Sequence, residues 1–259
     1  MPKLIKLSVT WSVIIGCMLY SLSVFGSNQI LHHQMEITLS PDTSEIRVKD
    51  HIRVPEHYRD QKISIQLDFS LHAGLTITGV QGAQLTMQKS DTVSRSKSVP
   101  LKHYTLILPP QQEEFTLHFS GAINHPVQGP GEEYARSFSY TPGVISTDGI
   151  FLANSSAWYP QFDDDAMVSF RLDIQVPAGW DVVSQGTLVS EQKTQAAHSI
   201  IWEEKQPQDD IYIVAGRYHR YAQSAGAVDA LVYLRSADEA LAQKYLDTTA
   251  QYIAMYNKL

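Results

Sequence analysis

Cysteine is almost absent: Cys17 is the single one in 259 residues and lies in the N-terminal apolar run, so no intramolecular disulfide can form and the fold must rest on its core. Positive charge is also scarce. Twenty Lys and Arg against 27 Asp and Glu leave a formal charge of −7, and an acidic surface repels phosphate backbones, which argues against a nucleic-acid partner. No two of the ten histidines stand four residues apart. This excludes the His-Glu-x-x-His helix, in which two imidazoles share one metal and Glu polarises the bound water. Neither a phosphate-cradling loop nor a Gly-x-Ser-x-Gly elbow occurs, so catalysis by this chain alone is not the expectation.

Long uncharged runs are absent except at the start, where Lys3 and Lys6 precede 19 residues from Leu7 to Phe25 without a charge. Residues 1–26 read as an export signal helix, with Val24-Phe-Gly26 near a cleavage point. Two alternatives share the segment: an uncleaved membrane tether through residues 7–25, and a lipoprotein box Ile14-Ile-Gly-Cys17 in which Cys17 is acylated. Each makes the protein exported, periplasmic or held at the cell envelope. Losing the leader removes two lysines and no acidic residue, taking the charge from −7 to −9.

What is present is alternation. Met35, Ile37 and Leu39 fall on one face of a strand and Glu36 and Thr38 on the other. The same period recurs at Ile46/Val48, Ile63/Ile65/Leu67/Phe69, Tyr104/Leu106/Leu108, Phe115/Leu117/Phe119 and Phe170/Leu172/Ile174/Val176. Turn signals such as Ser40-Pro-Asp42 and Pro177-Ala-Gly179 separate many of these runs. The expected fold is all-β, an antiparallel sandwich or saddle of about a dozen strands over residues 27–234. Met87 to Pro100, rich in Ser, Lys and Thr, reads as a hairpin connection, and His125 to Gly143, broken by Pro and Gly, as an exposed loop.

After Leu234 the period lengthens, with Leu241, Tyr245, Tyr252, Met255, Tyr256 and Leu259 spaced as one helix face. Ser236 followed by Glu239 is a capping-box signal and predicts a helix from Ala237, within a third segment, 235–259. A stripe of that kind needs a covering surface.

The stretch Gly149-Ile-Phe-Leu-Ala-Asn-Ser-Ser-Ala-Trp-Tyr-Pro160, then Phe-Asp-Asp-Asp165 and the strand from Phe170 through Val176-Pro-Ala-Gly-Trp-Asp-Val-Val-Ser-Gln-Gly186, resembles the N-terminal β-domain of the aminopeptidase N family of zinc metallopeptidases. The order of the remaining strands fits that domain from Gln34 to Leu234. The resemblance implies a noncatalytic domain that covers a downstream catalytic domain and shapes the peptide entrance. It also implies that the zinc, the His-Glu-x-x-His helix and the family's Gly-x-Met-Glu-Asn, all missing here, belong to that further domain. The other class of function is a complete envelope β-protein that binds a protein partner through its aromatic corner or its helix.

Relatives carry a Gln just before the aromatic corner that contacts bound peptide; here Phe151-Leu-Ala-Asn154 stands in its place, and Asn154 alone keeps a side-chain amide. Asn154 is therefore a candidate substrate contact, with a loop-capping role as the alternative. Glu132 and Glu133 can reach over a cleft toward a cationic N-terminus, or simply stay solvated. Asp163, Asp164 and Asp165 can collect calcium, cap the next strand, or work with His125 or His219 in an autonomous hydrolase. Trp158, Tyr159, Trp180 and Trp202 are expected as packing residues, and His32-His33, adjacent on a strand, as pointing to opposite faces.

Overall fold

The structure, a computed structural model, describes residues 30–55, 58, 62–91, 99–129, 140–162, 167–226 and 228–258. The leader with Cys17, the acidic pair Glu132 and Glu133, and the Asp163–Asp165 run lie outside the described residues.

Alternating burial defines β1 (Ile30–Ser40) and β2 (Glu45–Arg53), which form a hairpin over Pro41-Asp-Thr-Ser44. They are followed by β3 (Ile65–His72), β4 (Leu75–Gln81), β5 (Gln84–Asp91), β6 (Leu101–Leu108) and β7 (Glu114–Ala122). The next three are β8 (Val144–Ser146), β9 (Gly149–Leu152) and β10 (Gln161–Phe162). Then come β11 (Met167–Pro177), β12 (Asp181–Val183), β13 (Thr187–Lys193) and β14 (Ala197–Gln208). The last strands are β15 (Ile213–Gly216), β16 (His219–Ala225) and β17 (Val228–Leu234), before the helix α1 (Glu239–Tyr256).

Seven strands form one large sheet in the order β13-β14-β11-β1-β2-β7-β4. Two four-stranded sheets, β10-β3-β6-β5 and β12-β15-β9-β8, and the hairpin β16-β17 complete the β structure. The sheets are antiparallel except where β1 lies parallel to β11, a pairing that brings residues 137 apart into register. Local alternation cannot announce such a pair, because period two is the same in either direction.

One apolar cluster joins all three larger sheets: Met35, Ile37 and Phe170 from the large one, Phe69 and Leu106 from the second, Ile150 and Ile213 from the third. Each fully buried side chain of this size contributes about 1.5–3 kcal/mol. The other face of the large sheet is polar, and Glu36, Lys49, Asp173 and His118 line an open concavity of about 610 Å³ there.

Three local expectations change. Ile63 is 68 % exposed and precedes β3, which begins at Ile65. Residues from Met87 to Asp91 continue β5 instead of forming a loop, because they pair with Leu101–Tyr104. The helix starts at Glu239, two residues later than the Ser236 signal implied, because the Asp238 side chain accepts the Leu241 amide and takes the cap. It rests on the β16–β17 hairpin through Ala242 and Leu246. Tyr245, Tyr252, Met255 and Tyr256 stay exposed. No helix among the described residues is long and apolar enough to cross a membrane.

Candidate functional site

The aromatic corner is where two sheets meet. Strand β9 leaves the third sheet at Leu152, the chain makes a 3-10 turn at Asn154–Ser156, and β10 joins the second sheet at Gln161 by pairing with Ser70. Ser156 closes the turn, its hydroxyl donating to the Ala153 carbonyl at 2.6 Å. Ala157 follows in the left-handed region at φ 48°, a conformation that a non-glycine residue holds only when its surroundings fix it. Those surroundings include Gly143, where a side chain would place its Cβ 2.3 Å from that of Ser156.

Burial explains the rigidity. Trp158 is fully buried and donates its indole N–H to the Ile211 carbonyl at 3.1 Å, while Tyr159 is 3 % exposed and packs edge-on to Trp158 and His33. Both are packing residues, as are Trp180 and Trp202. The anchor beneath them is Asp210. Its carboxylate accepts the Asn154 amide at 2.6 Å, the Ile211 amide at 2.6 Å and the Tyr159 hydroxyl at 3.2 Å. Burial pushes the Asp210 carboxyl up while the two amides pull it down, and burial raises the Tyr159 hydroxyl so that it remains a donor.

Asn154 is thus an exposed residue on a turn held by hydrogen bonds. Its backbone N–H is held by Asp210, and its carbonyl accepts from the Gln161 amide at 3.0 Å and from the Ala157 backbone at 3.0 Å. Gln128 and Tyr140, which flank Glu132 and Glu133 in sequence, exchange reciprocal backbone bonds at 2.7 and 2.9 Å.

Sequence reading missed a histidine pair at the same corner. His72, at the end of β3, donates its backbone N–H to Ala157 and accepts the Gly74 amide on Nδ1 at 2.9 Å, which fixes the proton on Nε2. That Nε2 lies 2.8 Å from His125 Nε2, so His72 donates and His125 accepts. Gly74 is required here because a Cβ would meet the Ala122 carbonyl at 2.3 Å and the His72 ring at 2.8 Å. Burial, then the His125 ring and the Lys102 charge, push His72 down to about 4 from 6.5.

Between pH 6.5 and 4 the unfolded chain binds a proton that folded His72 refuses, so stability present above pH 6.5 is lost as pH falls toward 4, by roughly 2–3 kcal/mol. His72→Asn keeps an acceptor for Gly74 but cannot titrate, and its denaturation midpoint is expected to fall less steeply over that window. Parallel midpoint curves for the two proteins would discard the assignment.

His32 and His33 point apart as expected: His32 bonds Ser169 Oγ at 2.9 Å, whereas His33 is fully buried and donates from Nδ1 to Asp50 Oδ2 at 2.8 Å. Among the described residues of the corner, no three metal-binding side chains converge.

These features define a multi-sheet β-domain whose fold is shared with part of yeast LTA4 hydrolase. Yeast LTA4 hydrolase in complex with bestatin superposes with a TM-score of 0.57 at 15 % identity, over 92 % of this chain and 36 % of that one. Native yeast LTA4 hydrolase gives 0.55 with the same identity and coverage. An M1 zinc metallopeptidase from Deinococcus radiodurans gives 0.45 at 13 % identity, over 83 % of this chain and 49 % of that one. The chain therefore spans less than half the length of each of these proteins. No family model and no curated protein matches the sequence.

Proposed function

We propose that this chain is the noncatalytic β-domain of an exported zinc aminopeptidase-like protein, where it covers a catalytic domain in the same polypeptide and shapes the peptide entrance. The observation that carries the reading is the shared fold with yeast LTA4 hydrolase over 92 % of this chain and only 36 % of that enzyme. The zinc-gripping helix that the reaction needs is absent from this sequence, so zinc would be held by the other domain. The exposed Tyr245, Tyr252, Met255 and Tyr256 of α1 offer that domain an apolar seat. Asn154, on its rigid turn, is the residue of this chain assigned to touch peptide, with Glu132 and Glu133 as the acidic loop near the amino end. The leader, as signal peptide, anchor or acylated Cys17 segment, would deliver the protein to the envelope.

The coding sequence beyond Leu259 tests this reading. A continuing frame with His-Glu-x-x-His on a helix within about a hundred residues is expected. A stop codon, or a longer frame without the motif, rejects it. In the assembled enzyme, Asn154→Ala should raise KM for a peptide several-fold with kcat held within about twofold, and an unchanged KM removes Asn154 from the site.

A second reading, a self-contained envelope protein that binds a protein partner, is favoured by the same exposed helix stripe. It predicts a monomer of residues 27–259 with a cooperative melt and no need of further sequence. Aggregation relieved only by downstream sequence counts against it.

A further inference from the structure

Away from the corner, the turn after β11 brings three metal-binding side chains together. Asp181 opens β12, Glu191 and Lys193 share one face of β13, and His198 faces Lys193 across the β13–β14 ladder. Among the described residues, Asp181, Glu191 and His198 are the one group of three whose donor atoms all lie within 4.8 Å of one another.

The histidine is prepared for a cation. His198 Nδ1 donates to the Trp180 carbonyl at 2.6 Å, the outer bond that commonly fixes a metal-binding imidazole in one tautomer. Its side chain is 2 % exposed, and its other nitrogen, Nε2, is buried without a hydrogen-bond partner although Glu191 Oε1 is 3.0 Å away. In the neutral ring Nε2 presents a lone pair to a carboxylate oxygen. Two electron-rich atoms so placed repel unless a cation, whether a proton on Nε2 or a metal ion bound by both, lies between them.

A positive centre is already close. The Lys193 ammonium lies 3.1 Å from Asp181 Oδ1 and 3.1 Å from Glu191 Oε1. Its side chain is 59 % exposed, so it can turn out to solvent. Arg220 binds the other oxygen of Glu191 at 2.8 Å, leaving Oε1 to point at the cluster. A cavity of about 320 Å³, lined by Trp180, Asp181, Lys193, His198 and Tyr218, adjoins the group and gives water a way in.

We propose that Asp181, Glu191 and His198 form a structural site for a zinc-type divalent cation, which replaces the Lys193 ammonium and takes water from the cavity as its fourth ligand. One imidazole with two carboxylates suits zinc better than calcium or magnesium, which favour all-oxygen shells. Tetrahedral bonds of about 2.0–2.1 Å set donors roughly 3.3 Å apart, so the three side chains close in slightly by rotation as Lys193 leaves. The cation would tie β12 of the third sheet to β13 and β14 of the large sheet. That is a cross-link between sheets in a chain whose single cysteine cannot supply one.

The test uses the chain stripped with a chelator and titrated with zinc alone, with cobalt as a spectroscopic substitute. The expected result is one tightly held zinc per chain, a higher thermal midpoint, and the visible absorption of four-coordinate cobalt. Glu191→Gln, at an exposed position, should weaken binding by about tenfold or more, and Lys193→Ala, which removes the competing ammonium, should strengthen it several-fold. No zinc bound at millimolar concentration overturns the proposal. So does zinc held with the same affinity by both variants, since the ion then sits elsewhere.

Discussion

Asp50→Ala is expected to lower the unfolding free energy of the chain by about 3–5 kcal/mol, measured by urea denaturation. Asp50 and His33 are each fully buried and joined by a 2.8 Å hydrogen bond. Removing the carboxylate strands the His33 N–H in a dry core, and the lost desolvation is not returned by any other acceptor. His33 Nε2 and Asp50 Oδ1 already lack a protein partner, so the pair is not an optimised network. Replacing both at once, His33→Leu with Asp50→Val, should therefore recover stability to within about 1 kcal/mol of the natural chain, because two apolar side chains need no partner. A single variant as stable as the natural chain, or a double variant worse than the two singles summed, would contradict this account.

Asp210→Ala should loosen the aromatic corner at a cost of about 3 kcal/mol or more. Three donors, the amides of Asn154 and Ile211 and the hydroxyl of Tyr159, lose their acceptor together. Asp210→Asn keeps one acceptor oxygen and should fall between the two. Trp158 is the internal reporter: fully buried in the natural chain, its fluorescence should shift to longer wavelength as the turn opens. An unshifted spectrum with an unchanged midpoint would mean that the apolar packing of Trp158 holds the corner without Asp210.

On β2 the apolar phase is Ile46, Val48 and Ile52, with Asp50 in the same phase; on β1 it is Leu31, Met35, Ile37 and Leu39, with His33 in phase. The two interruptions were visible in the sequence. That they answer each other was not, since it depends on the β1–β2 register, which sets His33 opposite Ile52 and Met35 opposite Asp50. Asp210 gave no signal, because nothing in Asp209-Asp210-Ile211 distinguishes a buried anchor from a solvated turn. His72 and His125 are separated by 53 residues and meet only because β3 ends beside the Gly143 segment. The helix cap lies two residues beyond the Ser236 signal for a local reason: Ser236 and Asp238 are both good caps, and it is the Asp238 side chain that accepts the Leu241 amide.

Alternation, turn residues and the change of period after Leu234 determined a β-rich domain followed by a helix, because burial on one face writes itself into every second or every third and fourth residue. The aromatic phrase around Trp158 marked a corner that the structure buries between two sheets. Tertiary structure alone decided the parallel union of β1 with β11, the anchoring of the corner on Asp210, and the meeting of Asp181, Glu191 and His198. Those contacts join residues far apart along the chain, and a pairwise encounter of that kind leaves no periodic trace in either segment.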